Sequence, residues 1–382
     1  MHRQILARST TPDLGCDASK VISTSEAFLY SIAAIFTDLM GLSTRPSSVT
    51  SLTASVCKHA RPLRMHSIAP YAQQAVTTLA ELRHRAQTQH PLRLGVVVAD
   101  DDIALTAVAE ACQLGMIRPV LVGGAQKIRA KATGLGLSGL LSRAEIVEAN
   151  DAATVAVKMA RDAQIDLLLK GHLRTDELLR AVLDKQAGLR TGRLLSDVLL
   201  YEDTLAGNRR LVGITDGGLN VAPNLEQKKQ IVQNASEVIR CLGMARPKIA
   251  LMSATEAVSE SVPSTVDAIM LTLMGEAGEF GEADVFGPLA LDCALLESAA
   301  RQKGIKHPVA GHADCMVVPN LEAGNLLGKA VKYLGGSQCA HVVVGARTPL
   351  LIPSRVEGAE DKVNSIALGV IFANRPIQDS GD

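Results

Sequence analysis

The sequence has no tryptophan, and aromatic residues make up only 2% of its 382 residues. A surface that reads nucleic acid by stacking bases would have almost nothing to stack them on. Charge of one sign is equally missing: Lys plus Arg and Asp plus Glu both number 39, so no basic or acidic field points to a polyanionic partner or a charged surface. Nucleic acid is therefore not an expected partner. The seven cysteines, Cys16, Cys57, Cys112, Cys241, Cys293, Cys315 and Cys339, contain no CxxC pair and build no dense framework, which reads as reduced thiols in a cytoplasmic protein. No apolar run reaches the roughly 18 residues needed to cross a bilayer, so no membrane association is expected. The nearest thing to a signal sequence, Ala27 to Phe36, starts late, follows Glu26 and lacks an adjacent basic segment.

What is present is ordinary globular material, 47% hydrophobic and 20% charged, in a chain long enough for two domains. Residues 1–64 differ in texture from the rest. Seventeen of them are Ser or Thr and they hold no sustained period, which predicts a disordered extension or a mis-assigned start, with Met65 opening onto an amphipathic helix from about Pro70 to Gln89. From Leu92 the pattern changes to short, β-branched apolar runs separated by helical stretches, the mark of buried parallel strands joined by crossover helices. Strands are expected at 93–99, 118–122, 145–147, 167–169, 210–214, 248–252, 268–273, 315–318, 340–344 and 350–352. Helices are expected at 101–113, 152–164, 175–184, 225–242, 289–303 and 325–333. The strands are too many for one small sheet, so two α/β layers with a division near Asp216 are expected.

Ligands of parallel sheets bind beyond the carboxyl ends of strands, where helix N-termini and loop amides point outward. Four such loops stand out. Lys170-Gly171 leads to Thr175, placed with Asp176 to cap a helix. Thr215-Asp216-Gly217-Gly218 leads to Asn220 and Pro223. Gly311-His312-Ala313-Asp314 precedes Pro319 to Asn325, with Asn325 placed to cap the helix carrying Lys329. Pro353-Ser354-Arg355 precedes Glu360-Asp361-Lys362. Taken singly, each is ordinary cap chemistry, and only their joint occurrence argues for a site. Gly134 to Gly139 matches GxGxxG but follows a helix rather than a strand, so it reads as a helix end and loop. His312 and Asp314 could face a metal, yet no further ligand stands at a recognisable spacing, and no metal is expected.

In order, Lys170-Gly171 with Thr175, Thr215-Asp216 with Asn220 and Pro223, Asp284 to Asp292, Val309 to Asp314, Pro319 to Lys329, and Ser354-Arg355 with Lys362 to Leu368 resemble the phosphate acetyltransferase and phosphate butyryltransferase family, the butyryl branch more than the acetyl. The resemblance covers roughly Leu92 to Ile371. It implies two α/β/α domains with a cleft between them, of the isocitrate/isopropylmalate dehydrogenase-like kind: a discontinuous first domain of residues 65–215 and 350–382, and a second of 216–349. It implies conversion of a short-chain acyl-CoA and phosphate into acyl phosphate and coenzyme A, with no permanently bound cofactor and with CoA as a substrate. It also implies a homodimer formed through the second domain. By the same resemblance Ser354, Arg355 and Asp361 are catalytic, with Asp361 or its neighbour Glu360 receiving the CoA thiol proton. Lys170, Thr175, Thr215, Asp216, Asn220, Gly311, Asp314 and Asn325 are substrate-binding.

Independent chemistry agrees with these assignments. Thioester and acyl phosphate interconvert through a carbon bearing an oxyanion, which a fixed cation stabilises, and an arginine fork also suits phosphate. A thiol of ordinary pKa, about 8.5, is mostly protonated at neutral pH and gains from a carboxylate base. Two other functions remain open on these residues: a metal- and NAD(P)-dependent dehydrogenase of the isocitrate dehydrogenase type, and a non-catalytic CoA-binding protein.

Overall fold

The computed structural model describes residues 74–375, apart from Asn208, Arg355 and the side chain of Ala206. The expected extension, the Met65 start, Cys16 and Cys57 lie outside the described residues. Several of the helices start at a side-chain cap. Helix α1 (Leu79–Gln87) is capped by Thr78, α2 (Asp102–Gln113) by Asp101 and α5 (Ala152–Arg161) by Asp151, each accepting a bond from a backbone N–H three residues on. The GxGxxG segment is the end of α3 (Ala125–Gly134), a left-handed Gly136, and the short α4 (Ser138–Leu141), as its helical context predicts.

The strands are β1 (Leu92–Val97), β2 (Ile117–Gly123), β3 (Glu145–Glu148), β4 (Leu167–Lys170), β5 (Ser196–Asp203), β6 (Arg210–Thr215), β7 (Lys248–Met252), β8 (Asp284–Leu289), β9 (Cys315–Val317), β10 (Cys339–Val344) and β11 (Leu350–Leu351). They form one eleven-stranded sheet in the order β3-β2-β1-β4-β11-β10-β5-β6-β9-β7-β8. The block β3-β2-β1-β4-β11 is parallel throughout, as is the block β6-β9-β7-β8. Between them β10 runs antiparallel to both β11 and β5, and β5 antiparallel to β6. The expected isocitrate/isopropylmalate dehydrogenase-like fold is thereby corrected: the architecture is α/β with a mixed sheet, because the unforeseen β5 hydrogen-bonds to β6 on one side and β10 on the other and joins the two parallel blocks.

The helix α8 (Pro263–Glu276) corrects the strand expected at 268–273. A run such as Ala268-Ile269-Met270-Leu271 is equally apolar as either element, and Pro263 in the first turn with fourteen residues in register decides for the helix. The expected helix at 289–303 is broken into α9 (Leu291–Leu295) and α10 (Glu297–Gln302) after β8. The remaining helices are α6 (Thr175–Val182), α7 (Leu225–Cys241), α11 (Leu321–Lys329), which continues into a π-helical turn at Ala330–Leu334, and α12 (Ala359–Ala373). Helix α12 is buried from Asp361 to Phe372 and packs on β10, α1 and α2. A helix buried on every side, apolar from Ile366 to Phe372 and with Asp361, Lys362 and Ser365 bonded inside the fold, belongs in the middle of a fold. The peptides Thr215–Asp216 and Gly287–Pro288 are cis. No described helix is long and apolar enough to cross a membrane.

Candidate active site

One face of the joining strands supplies the floor of a cavity of about 260 Å³. Paired residues on antiparallel strands share a face, and here the pairs are His341 with Leu199, Val343 with Asp197, and Leu199 with Ile214. All five line the cavity. Its walls come from Thr175 at the start of α6, Gly217 and Gly218 after β6, Asn325, Lys329 and Lys332 on α11 and its π turn, and Ser354 and Glu357 after β11.

The two glycines show how closely the walls approach. A Cβ on Gly217 would lie 2.7 Å from the backbone carbon of Gly324, and a Cβ on Gly218 would lie 2.9 Å from the Asp197 carboxylate. Only glycine lets the loop after β6 pass between helix α11 and β5.

Among the sequence-predicted residues, Thr175, Asn325 and Ser354 meet at this cavity. Arg355 lies outside the described residues. Asn325 donates to the Gly217 carbonyl at 3.2 Å, while Asn320 rather than Asn325 caps α11. Arg174, not Thr175 or Asp176, occupies the N-cap position of α6. Lys170 is buried at the end of β4, its ammonium directed at the carbonyls of Gly171 and Leu173. Asp216 shapes its own loop: one oxygen accepts from Gly218 and Leu219 N–H, the other from Asn220, whose amide also reaches the Leu195 carbonyl. Burial, with the neighbouring Asp197 carboxylate, raises the Asp216 carboxyl above its ordinary value. Thr215 is fully buried and its hydroxyl has no partner.

Gly311 and Asp314 do not reach the cavity. Gly311 packs on α10, where a Cβ would come within 2.4 Å of Glu297 Cα, and it lines a separate recess with Arg210 and His312. Asp314 accepts from Lys248 N–H at 2.8 Å and ties β9 to β7. One set of possible metal ligands is close together among the described residues, Glu256, Asp292 and Cys293, but Lys303 Nζ already stands 3.0 Å from Glu256 and 3.2 Å from Asp292 as the cation there.

Asp361 is committed to the fold. Its Oδ1 accepts from Cys339 N–H at 3.0 Å, and its Oδ2 accepts from Lys332 Nζ at 2.6 Å and from Gly358 N–H at 3.2 Å. The turn from Ser354 to Glu357 is held by buried Lys362, which donates to both carbonyls at 3.3 Å. Burial lowers the Lys362 ammonium below its ordinary value, against the pull of Glu357 and other carboxylates.

Sequence reasoning missed the carboxylate and imidazole groups of the floor. His341 Nδ1 lies 3.2 Å from Asp197 Oδ2, and His341 Nε2 lies 3.3 Å from Glu357 Oε1. Burial alone would lower the imidazolium, but the two carboxylates outweigh it and raise His341 to about 10. Asp197 and His341 stand 144 residues apart on strands whose pairing no local signal announces.

Residues 140–370 match the family model described as Phosphate acetyl/butaryl transferase. The chain belongs to that family. A phosphate acetyltransferase of Rhizobium meliloti is 40% identical over 72% of this chain and 87% of its own length. A phosphate butyryltransferase of Clostridium acetobutylicum is 36% identical over 78% of this chain and 99% of its own. Among solved structures, a branched-chain phosphotransacylase from Enterococcus faecalis V583 superposes with a TM-score of 0.66 at 28% identity, over 75% of this chain and 100% of that one. The protein is a phosphate acyltransferase, a transferase, and the dehydrogenase alternative is not favoured. The solved neighbours are phosphotransacylases, and nothing in them points to an isocitrate dehydrogenase-like fold.

Proposed function

We propose that the cavity at Ser354 exchanges a short acyl group, acetyl or butyryl, between coenzyme A and inorganic phosphate. The observation that carries this reading is the convergence of Ser354, Thr175, Asn325, Lys329 and Lys332 on one small cavity in a chain of this family. Its volume of about 260 Å³ suits an acyl group with a phosphate rather than a whole CoA, whose nucleotide end would extend beyond it. Ser354 and Arg355 are assigned to the reacting atoms, Arg355 as the cation that offsets the developing oxyanion. Thr175 and Asn325 are assigned to substrate binding. Lys170, Thr215, Asp216 and Asn220 hold the strand ends and the loop that bound the pocket, and Gly311 and Asp314 brace α10 and β9.

CoA is a substrate in this scheme, not a resident cofactor, and the enzyme works in the cytoplasm as a homodimer. Light scattering at micromolar concentration checks the dimer, and a monomer mass would remove it. Acyl chain length is decided by pocket volume, worth about 1 to 3 kcal/mol per methylene. The test is release of free thiol from acetyl-, propionyl-, butyryl- and longer acyl-CoAs with and without phosphate. Phosphate-dependent release that peaks at one short chain is expected. Release that ignores phosphate, or none from any thioester, overturns the reading.

A further inference from the structure

We infer that Glu357 is the carboxylate that exchanges a proton with the CoA sulfur, and that His341, clamped by Asp197, is the residue that positions it. This rests on the acyl-transfer reading above, and goes past it in naming a group that the resemblance did not assign.

Three observations carry it. Glu357 is 4% exposed, lines the cavity beside Ser354, and its Oε2 has no hydrogen-bond partner in the fold. Buried carboxylate oxygens are almost always bonded, so an orphaned one on a ligand cavity marks where a donor from the ligand belongs. A thiol S–H is such a donor. Second, the other oxygen, Oε1, is fixed by His341 Nε2 at 3.3 Å, and His341 is fixed in turn by Asp197 at 3.2 Å and through its backbone N–H by Ser365 Oγ at 2.9 Å. A base held by an oriented partner that is itself oriented is the usual build of a proton-transfer site. Third, Asp361, the residue that the resemblance assigns, has both oxygens bonded to Lys332, Cys339 and Gly358, which leaves less to offer a substrate.

In the direction that makes the thioester, Glu357 takes the S–H proton as the sulfur electron pair forms the C–S bond. The C–O bond to phosphorus-bound oxygen then breaks, and phosphate leaves with that pair and takes the proton from Glu357, departing as hydrogen phosphate. In reverse, hydrogen phosphate attacks the thioester carbon and passes its proton to Glu357, the C–S bond breaks, and Glu357 returns that proton to the departing sulfur. Protons and charge balance without another reactant.

The surroundings keep the carboxylate ionised before transfer. Facing Glu357 are His341, with Asp197 behind it, and Cys339 from the sheet, Lys332 from the π turn, Lys362 from α12, and the backbone at Ser354. Burial raises its carboxyl, but the hydrogen bond and charge of His341 prevail, so the net shift is downward. Loss of the imidazolium therefore raises the Glu357 pKa and moves the acidic limb of the pH–rate profile to higher pH.

The experiment uses the full-length enzyme, acyl phosphate and CoA, with circular dichroism to confirm folding. Glu357→Gln is expected to lower kcat by about a hundredfold or more, within the range for loss of a general base, while KM for CoA changes less than about threefold. Glu357→Asp should recover part of the rate. His341→Gln should shift the acidic limb upward, a movement that a merely structural role would not produce. A folded Glu357→Gln enzyme within a fewfold of the parent overturns the assignment, and an unmoved limb in His341→Gln removes the positioning role. If Glu357→Gln does not fold, the limb in His341→Gln decides the whole proposal. A parent enzyme that releases no thiol from any acyl-CoA in the presence of phosphate fails the acyl-transfer reading instead, which keeps the two failures apart.

Discussion

At the scale of the residue, the same chemical type plays opposite parts at Glu357 and Asp361, one helical turn apart in sequence. Glu357 and Asp361 are both buried carboxylates near Lys332, yet one oxygen of Glu357 is left without a donor while every oxygen of Asp361 has one. Spacing from the Ser354-Arg355 pair singles out Asp361, because spacing carries no information about which hydrogen bonds the fold has already taken. Arg355 follows from the resemblance and from the need for a cation at the oxyanion. Arg355→Gln is expected to fold and to lose about 2.7 to 4 kcal/mol of transition-state stabilisation, roughly a hundredfold to a thousandfold in turnover, with weaker phosphate saturation. Lysine should restore only part, lacking the planar fork. Steady-state kinetics on the purified variants decide it, and turnover within a fewfold of the parent would take Arg355 out of the mechanism.

At the scale of the element, the sequence was legible wherever a strand is an apolar run between turn residues. β7 at Lys248–Met252 matches its expected bounds, and β4, β6 and β10 lie within a residue of theirs. It was not legible at β5, whose short apolar run Val198 to Tyr201 is hemmed in by Ser196 and Asp197 on one side and Glu202 and Asp203 on the other, polar groups that Asn234, His341, the Leu79 N–H and Arg210 use. It failed too at α8, whose apolar run fits either period. The cavity lining shared this division: Thr175 starts α6 and Ser354 follows β11, where cap and turn residues mark them, whereas Asn325 lies within α11 and Asp197 and His341 lie within strands β5 and β10. The tight passage of the loop after β6 gives a prediction for the element. Gly217→Ala places a methyl 2.7 Å from the Gly324 backbone, so α11 must shift and the Asn325 bond to the Gly217 carbonyl should break. A loss of about 1 to 3 kcal/mol in stability is expected from such overpacking, with a fall in turnover at least as large as a serine or alanine replacement of Asn325 produces. Thermal melts and kinetics on both variants test it, and an unchanged melting temperature would show that the helix yields freely.

At the scale of the whole molecule, the buried His341 links stability to pH. Its pKa is raised from 6.5 to about 10 on folding, so the folded state holds a proton that the unfolded state releases between those values. Stability from this group is complete below about pH 6.5 and falls as pH rises through about 10. The buried thiols Cys241 and Cys339, raised to about 12, act in the same direction but only above the ordinary thiol range. Between about pH 6.5 and 8.5 the slope therefore belongs chiefly to His341. Urea denaturation at pH 6, 7, 8 and 9 should show declining stability in the parent and a flatter course in His341→Gln. Equal slopes in the two proteins would mean that His341 is neutral in the fold.

The joining strands also bear on how the protein comes into being. β5 is made early and β10 more than a hundred residues later, yet β10 alone connects β5 to the β11 edge of the first block. While the chain is still on the ribosome, β5 has one neighbour and an open side, and the floor of the pocket lacks His341 altogether. Any product of premature termination before Cys339 would thus lack His341, Ser354 and Glu357 of the pocket and would expose an apolar strand edge, the kind of surface that chaperones bind and aggregates grow from.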